Sequence, residues 1–231
     1  MHKFQKLQKV LTAAFLAIAG TTTFAEMPAI SWELDNAVRQ IEGQAKAFES
    51  AMASVSFVAT DADGNVLEEH SGNGFIRENG DMRYSRADNN SVVLVDVNKI
   101  FEYDGNAKTV TTLSTSKHKE RLEPLYRLGF TISGRDLKDR YLLTILGEEA
   151  IGDTRTLVLE LTPKRDKDRA IAGKIRLWID QASWMPRRQE FGSTATRVTT
   201  TVDYTDMARN LELNPDLFKA KWPKGTKKIR Q

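Results

Sequence analysis

The sequence predicts a mainly β protein of the α+β class, a barrel or sandwich of short antiparallel strands with a helix in front and a helical insertion. Three observations carry that prediction. A stripe of apolar residues at helical spacing comes first. Apolar residues then alternate at period two over short runs. Turn signatures separate those runs at near-regular intervals, except where a polar, helix-compatible segment interrupts.

The opening stripe is Leu34, Val38, Ile41, Ala45 and Phe48. Its three- and four-residue steps place all five on one helical face. Val55–Thr60 reads as a strand, and Asp61-Ala62-Asp63-Gly64-Asn65 as a hairpin turn with an Asp-Gly signal. A second strand runs from Val66 to Ile76, and Glu78–Asp81 turns into a third at Met82–Ser85. Asp88-Asn89-Asn90 turns again. Ser91–Asp96 and Lys99–Asp104 form a hairpin, and Gly105-Asn106 leads into Lys108–Leu113. Residues 116–146 form the insertion, with Leu122, Leu125, Tyr126, Leu128 and Phe130 as its apolar side. Pro124 and Gly129 break it into short helices. Leu137–Leu146 is either another short helix or the lead into a strand. Strands resume at Thr156–Thr162, Lys174–Asp180, Pro186–Phe191 and Arg197–Tyr204. No Pro/Gly/Ser-rich linker or repeat divides them, so residues 26–231 are expected to form one domain.

Residues 1–25 have the form of a cleaved secretory signal: basic Lys3, Lys6 and Lys9, apolar Val10–Gly20, then small Thr23 and Ala25. The formal charge of +3, from 34 Lys+Arg against 31 Asp+Glu, comes from that segment. Without it the chain is neutral. Residues 26–218 then carry 25 basic and 31 acidic groups, and residues 219–231 form a basic tail without an acid, read first as a solvated end and otherwise as a weak contact with an anionic membrane surface or partner. A nucleic-acid footprint needs a basic face on the fold itself, so nucleic-acid binding is not expected. No later apolar run is long enough to span a membrane. There is no cysteine. That excludes disulfides, thiolate metal sites, cysteine nucleophiles and a lipid-modified N-terminal cysteine. A soluble periplasmic protein follows.

Catalytic and metal motifs are missing. His70 and His118 lack partners at metal-ligand spacing. Asp61-x-Asp63-x-Asn65 starts like a calcium loop but has Val66 and Gly72 where glycine and glutamate are needed. Gly72-x-Gly74 lacks the third glycine and the helix of a dinucleotide loop. There is no Gly-x-Ser-x-Gly elbow. No enzyme activity, cofactor or metal is expected. The aromatics, including Phe57, Phe75, Tyr84, Phe101, Tyr103, Phe130 and Trp178, mostly sit on strands. They form either one sheet face packed on the helix or the inner face of a half-open barrel receiving an apolar ligand.

Five segments, in order, resemble the LolA-type outer-membrane lipoprotein carrier family. They are Val55–Leu67, Gly72–Tyr84, Val93–Asp104, Leu159-Glu160-Leu161-Thr162-Pro163-Lys164, and Asn214–Phe218 with Pro223-Lys224-Gly225. The resemblance implies an incomplete antiparallel β-barrel with a lid of short helices, here 116–146 and 34–50. It implies a monomeric carrier of lipoprotein acyl chains between an inner-membrane ABC transporter and an outer-membrane acceptor. Alternation and motif position assign Phe57, Phe75, Met82, Tyr84, Leu94, Phe101, Tyr103, Leu125, Leu128 and Phe130 to the cavity. The family's lid-latching arginine falls on Glu78, leaving Arg77 or Arg83 as substitutes. The segment around Trp178 and Trp184 resembles a more divergent branch. The cargo is then a lipoprotein or another lipid, or the domain is an envelope lipid sensor.

Overall fold

The computed structural model describes residues 33–114 and 127–230. In chain order these form α1 (Leu34–Lys46), β1 (Ser50–Thr60), β2 (Val66–Arg77), β3 (Met82–Arg86), β4 (Val92–Val95), β5 (Lys99–Asp104) and β6 (Thr109–Ser114). Then come α2 (Gly134–Arg140), β7 (Tyr141–Ile151), β8 (Thr154–Pro163), α3 (Asp166–Ile171), β9 (Lys174–Asp180), β10 (Pro186–Gly192) and β11 (Thr199–Arg209). A short 3₁₀ turn (Pro215–Phe218) precedes β12 (Lys227–Arg230).

All twelve strands join one sheet in the order β12-β6-β5-β4-β3-β2-β1-β11-β10-β9-β8-β7. Every pair is antiparallel except β12, which runs parallel to β6. Among the described residues the two edges, β12 and β7, are not joined, so the barrel is incomplete, as expected.

Side chains alternate across a strand, so register assigns each residue to a face. One face carries Phe57 on β1, opposite Val202 and His70, and Val55, opposite Tyr204 and Gly72. The same row parity carries Gln189, Leu177, Leu159 and Ile145 through β10, β9, β8 and β7. We call this the helix face, because Ile41 of α1, residues 128–132 and Leu137 of α2 pack there with Leu159, Leu177 and Tyr204. On the opposite side of the β7–β11 half, the exterior is a ladder of ion pairs. Arg188 holds Asp203 through Nε and Nη2 (2.6 and 2.9 Å), and Arg176 meets both Glu160 and Glu190.

In the β2–β6 half the second core lies on that opposite face. Phe75 and Arg83 face each other there, followed in register by Leu94 and Phe101, while Val92 faces Tyr103 and Val110 follows. Leu213, Leu217, Phe218 and Trp222 of the C-terminal segment cover them, so we call it the tail face.

Local chemistry explains where elements start and stop. The Asp61 carboxylate accepts the amides of Asp63 and Asn65, and Gly64 adopts φ 85°, so the calcium-like residues make a hairpin turn. Gly129 adopts φ 80°, which turns the chain after the helical residue Arg127. The Ser133 hydroxyl accepts the Asp136 amide and starts α2.

Two expectations change. Residues 116–126 lie outside the described residues, and the rest of the expected lid is shorter than the sequence suggested. From Tyr141 the chain is an edge strand, because Tyr141, Leu143 and Ile145 alternate inward against β8. The opening helix ends at Lys46, and Ser50 already belongs to β1. The basic tail is also no loose end. Trp222 stacks on Tyr103 at 5.3 Å, and Lys227–Arg230 pair with β6.

Candidate functional site

The helix face continues beyond the helix-covered core. On β1 and β2 it includes a strip of small residues, Ala51, Ala53, Gly72 and Gly74, between the larger Phe57 and His70 at one end and Ile76 at the other. Gly72 is required, since a Cβ there would lie 2.0 Å from the Ser85 carbonyl oxygen. Past this low strip stand Tyr84, opposite Gly74, and Met82, opposite Ile76. Val93 and Val95 follow on β4, and Ile100 and Leu113 on β5 and β6. Met82, Tyr84, Val93 and Leu113 are half-buried, whereas Val95 and Ile100 are buried. The result is a broad apolar floor beside the packed helices.

A polar cluster limits this floor near the β1–β2 turn. The His70 ring stacks on Phe57 at 4.5 Å, nearly parallel, and His70 Nδ1 lies 2.7 Å from the Tyr84 hydroxyl. Burial, with Arg86 nearby, lowers the imidazole pKa below its ordinary value; burial pushes the Tyr84 phenol up to about 12. Both are therefore neutral at pH 7. Arg86 sits between Glu68 (3.2 Å) and Asp88 (2.8 Å), so its charge is already answered on both sides.

Gln189 is fully buried on the helix face. Its Nε2 donates to the Leu128 carbonyl at 2.6 Å and fastens the 127–132 segment to the sheet, while its Oε1 has no hydrogen-bond partner among the described residues. Phe130 of that segment meets Tyr204 edge-on at 5.4 Å and Phe48 at 6.2 Å.

The sequence-derived cavity set falls on two faces. Phe57, Met82 and Tyr84 lie on the helix face, in line with the core that holds Leu128 and Phe130. Phe75, Leu94, Phe101 and Tyr103 lie on the tail face under the C-terminal segment. Leu125 lies outside the described residues. Arg77 and Arg83 share the tail face too. Arg77 pairs with Asp81 and lies 4.2 Å over the Phe218 ring. Arg83 donates to Ser85 Oγ (2.9 Å) and the Leu217 carbonyl (3.2 Å). Both arginines hold the C-terminal 3₁₀ turn. Sequence reading missed the Ala/Gly strip and Gln189. The two-residue spacing of Gly72 and Gly74 was the available signal for the strip, because it puts both on one strand face.

Among the described residues no cluster of three His, Cys, Asp or Glu is placed to hold a metal ion, and no helix is long and apolar enough to cross a membrane.

A family model described only as an uncharacterized protein matches residues 88–219, more than half of the chain. The chain belongs to that family. No curated protein matches it. Among solved structures, an uncharacterized conserved protein from Thermus thermophilus is similar at 11% identity with a TM-score of 0.55, covering 85% of this chain and 98% of its own. The lipoprotein LppX from Mycobacterium tuberculosis is similar at 15% identity and TM-score 0.49, with 77% and 96% covered. A LolA superfamily protein from Nitrosomonas europaea is similar at 17% identity and TM-score 0.39, with 79% and 97% covered. At these identities the likeness is one of fold.

Proposed function

We propose that this protein is a periplasmic carrier that holds the acyl chains of a lipoprotein, or of a related lipid, against the helix face of its open sheet. The observation that carries the reading is the apolar floor: Met82, Tyr84, Val93 and Leu113 extend the helix face past its packed core and stay half-exposed. The five sequence segments that resemble LolA-type carriers support it. Phe57, Met82, Tyr84, Leu128 and Phe130 remain the cavity candidates. Phe75, Leu94, Phe101 and Tyr103 serve the second core instead.

An acyl chain loses about 0.8 kcal/mol per CH₂ when exposed to water, so a sixteen-carbon chain needs roughly 10 kcal/mol of apolar shelter. A carrier must also let go. A half-packed floor meets both needs better than a closed core, since partial contact leaves room to enter and leave. The form of residues 1–25 supports export to the periplasm. An inner-membrane transporter would load a monomeric carrier, and an outer-membrane acceptor would unload it.

Mass spectrometry of solvent extracts from the natively purified protein tests the reading. Stoichiometric acylated species are expected. Protein that emerges lipid-free, and that takes no lipoprotein from spheroplasts, would falsify it. Transfer of captured lipoprotein to acceptor membranes separates a carrier from a sensor.

A further inference from the structure

Most basic side chains on the sheet have acidic partners. Arg86, Arg155, Lys174, Arg176 and Arg188 all do. One corner gathers several basic side chains that do not. β12 lies along β6 with Lys227 beside Thr109 and Lys228 beside Val110, and the Lys227 amide donates to the Lys108 carbonyl at 3.0 Å. Lys224 precedes β12 in the Gly225 turn. Lys108, Lys224, Lys227 and Lys228 are exposed, and none makes an ion pair among the described residues. Neighbouring Lys219 and Lys221 share Asp216. The carboxylate nearest in register, Asp104, lies across from Thr109, and its Oδ1 accepts the amides of Asn106 and Ala107.

Alternation puts Lys227 and Lys228 on opposite sides of the terminal strand, so positive charge straddles the sheet edge. Ile229 lies between the basic positions, 43% exposed. Fixed cations around an exposed apolar residue suit an interface where lipid phosphates meet acyl chains. A purely polar acidic partner would answer the charges but leave the isoleucine in water.

We propose that this corner, formed by the turn before β6, the Gly225 turn and β12, is a docking surface for an anionic phospholipid membrane. The proposal does not rest on the cargo reading, because vesicles free of lipoprotein suffice to test it. Docking here would hold the sheet edge-on to the bilayer by long-range attraction, despite the acidic composition of residues 26–218.

The test is co-sedimentation of the full chain with vesicles of phosphatidylcholine alone, or with about one-third phosphatidylglycerol. Binding is expected only to the anionic vesicles, and ~0.5 M NaCl should release it. Lys224→Glu/Lys227→Glu/Lys228→Glu should weaken it on the order of a hundredfold, while the corresponding triple Lys→Arg variant keeps it. Arg39→Glu/Arg197→Glu/Arg209→Glu removes the same charge elsewhere and should keep most of the binding. If the lysine reversals do not fold cooperatively, the Lys→Gln triple, read as a smaller salt dependence, replaces them. Absence of binding to anionic vesicles, equal binding to neutral ones, or equal loss in the arginine control would overturn the proposal.

Discussion

Two halves of one sheet bury opposite faces by different means. The β7–β11 half, with β1, packs against helical residues into a core of twenty buried side chains among the described residues. The tail-face cluster of the β2–β6 half has five among the described residues, closed by the C-terminal segment through aromatic stacking and two arginines. Hydrophobic stabilisation scales with the apolar area removed from water, so the first half carries most of the fold. The second is held by a few side chains far away in sequence. On its helix face Met82, Tyr84, Val93 and Leu113 stay half-buried, which is what a binding floor requires.

The largest expected effect breaks the stronger half. Leu177 is 1% exposed at the centre of its core, so Leu177→Ala should cost about 2–5 kcal/mol, read as a lower urea midpoint for the whole molecule. Phe218→Ala should cost about 3 kcal/mol, at the low end for a buried phenylalanine because the short 3₁₀ turn can relax. Amide exchange should quicken in β4–β6 and not in β8–β10. Equal acceleration in both would mean one undivided core and end the comparison.

Arg77→Met comes next. It leaves the Asp81 carboxylate, which is 9% exposed, with the Asn79 amide as its side-chain donor but no cation, and removes the stack on Phe218, for a loss of about 1–2 kcal/mol. Exchange in residues 127–140 should not change. Faster exchange there would restore Arg77 as a lid latch.

The smallest effect concerns pH at the join between the halves. Folding depresses the His70 pKa, so the unfolded chain binds a proton more readily. The resulting stability is present above pH ~6.5 and declines as pH falls below it. Thermal midpoints should drop between about pH 6.5 and 5, before the carboxylates titrate, and His70→Gln should flatten that drop.

Element types were legible in the sequence because they depend on local periods. The Leu34–Ala45 part of the stripe forms α1, Asp61–Asn65 forms the turn, and Lys174–Asp180 forms β9, as expected. Face assignment was not legible. Alternation says that Phe75 and Tyr84 each have a side, but only the register that sets Tyr84 against Gly74 shows that the sides differ. The cavity set mixed the two faces for that reason. The C-terminal fold was hidden too, since the pairing of β12 with β6 leaves no local pattern. A lysine-rich stretch resembles a solvated end until Trp222 is seen on Tyr103.

The pairings that complete each half also set the order of assembly. Phe57 waits for Val202, 145 positions later, and Thr109 for Lys227, 118 positions later. A nascent chain emerging from its N-terminus therefore holds unfinished sheet at β1 and β6 until nearly all of it is available. Contacts this remote make folding slow, on the order of milliseconds to seconds. During that interval the unpaired strands are exposed to aggregation, so this topology predicts a strong dependence on chaperones while the chain is being made.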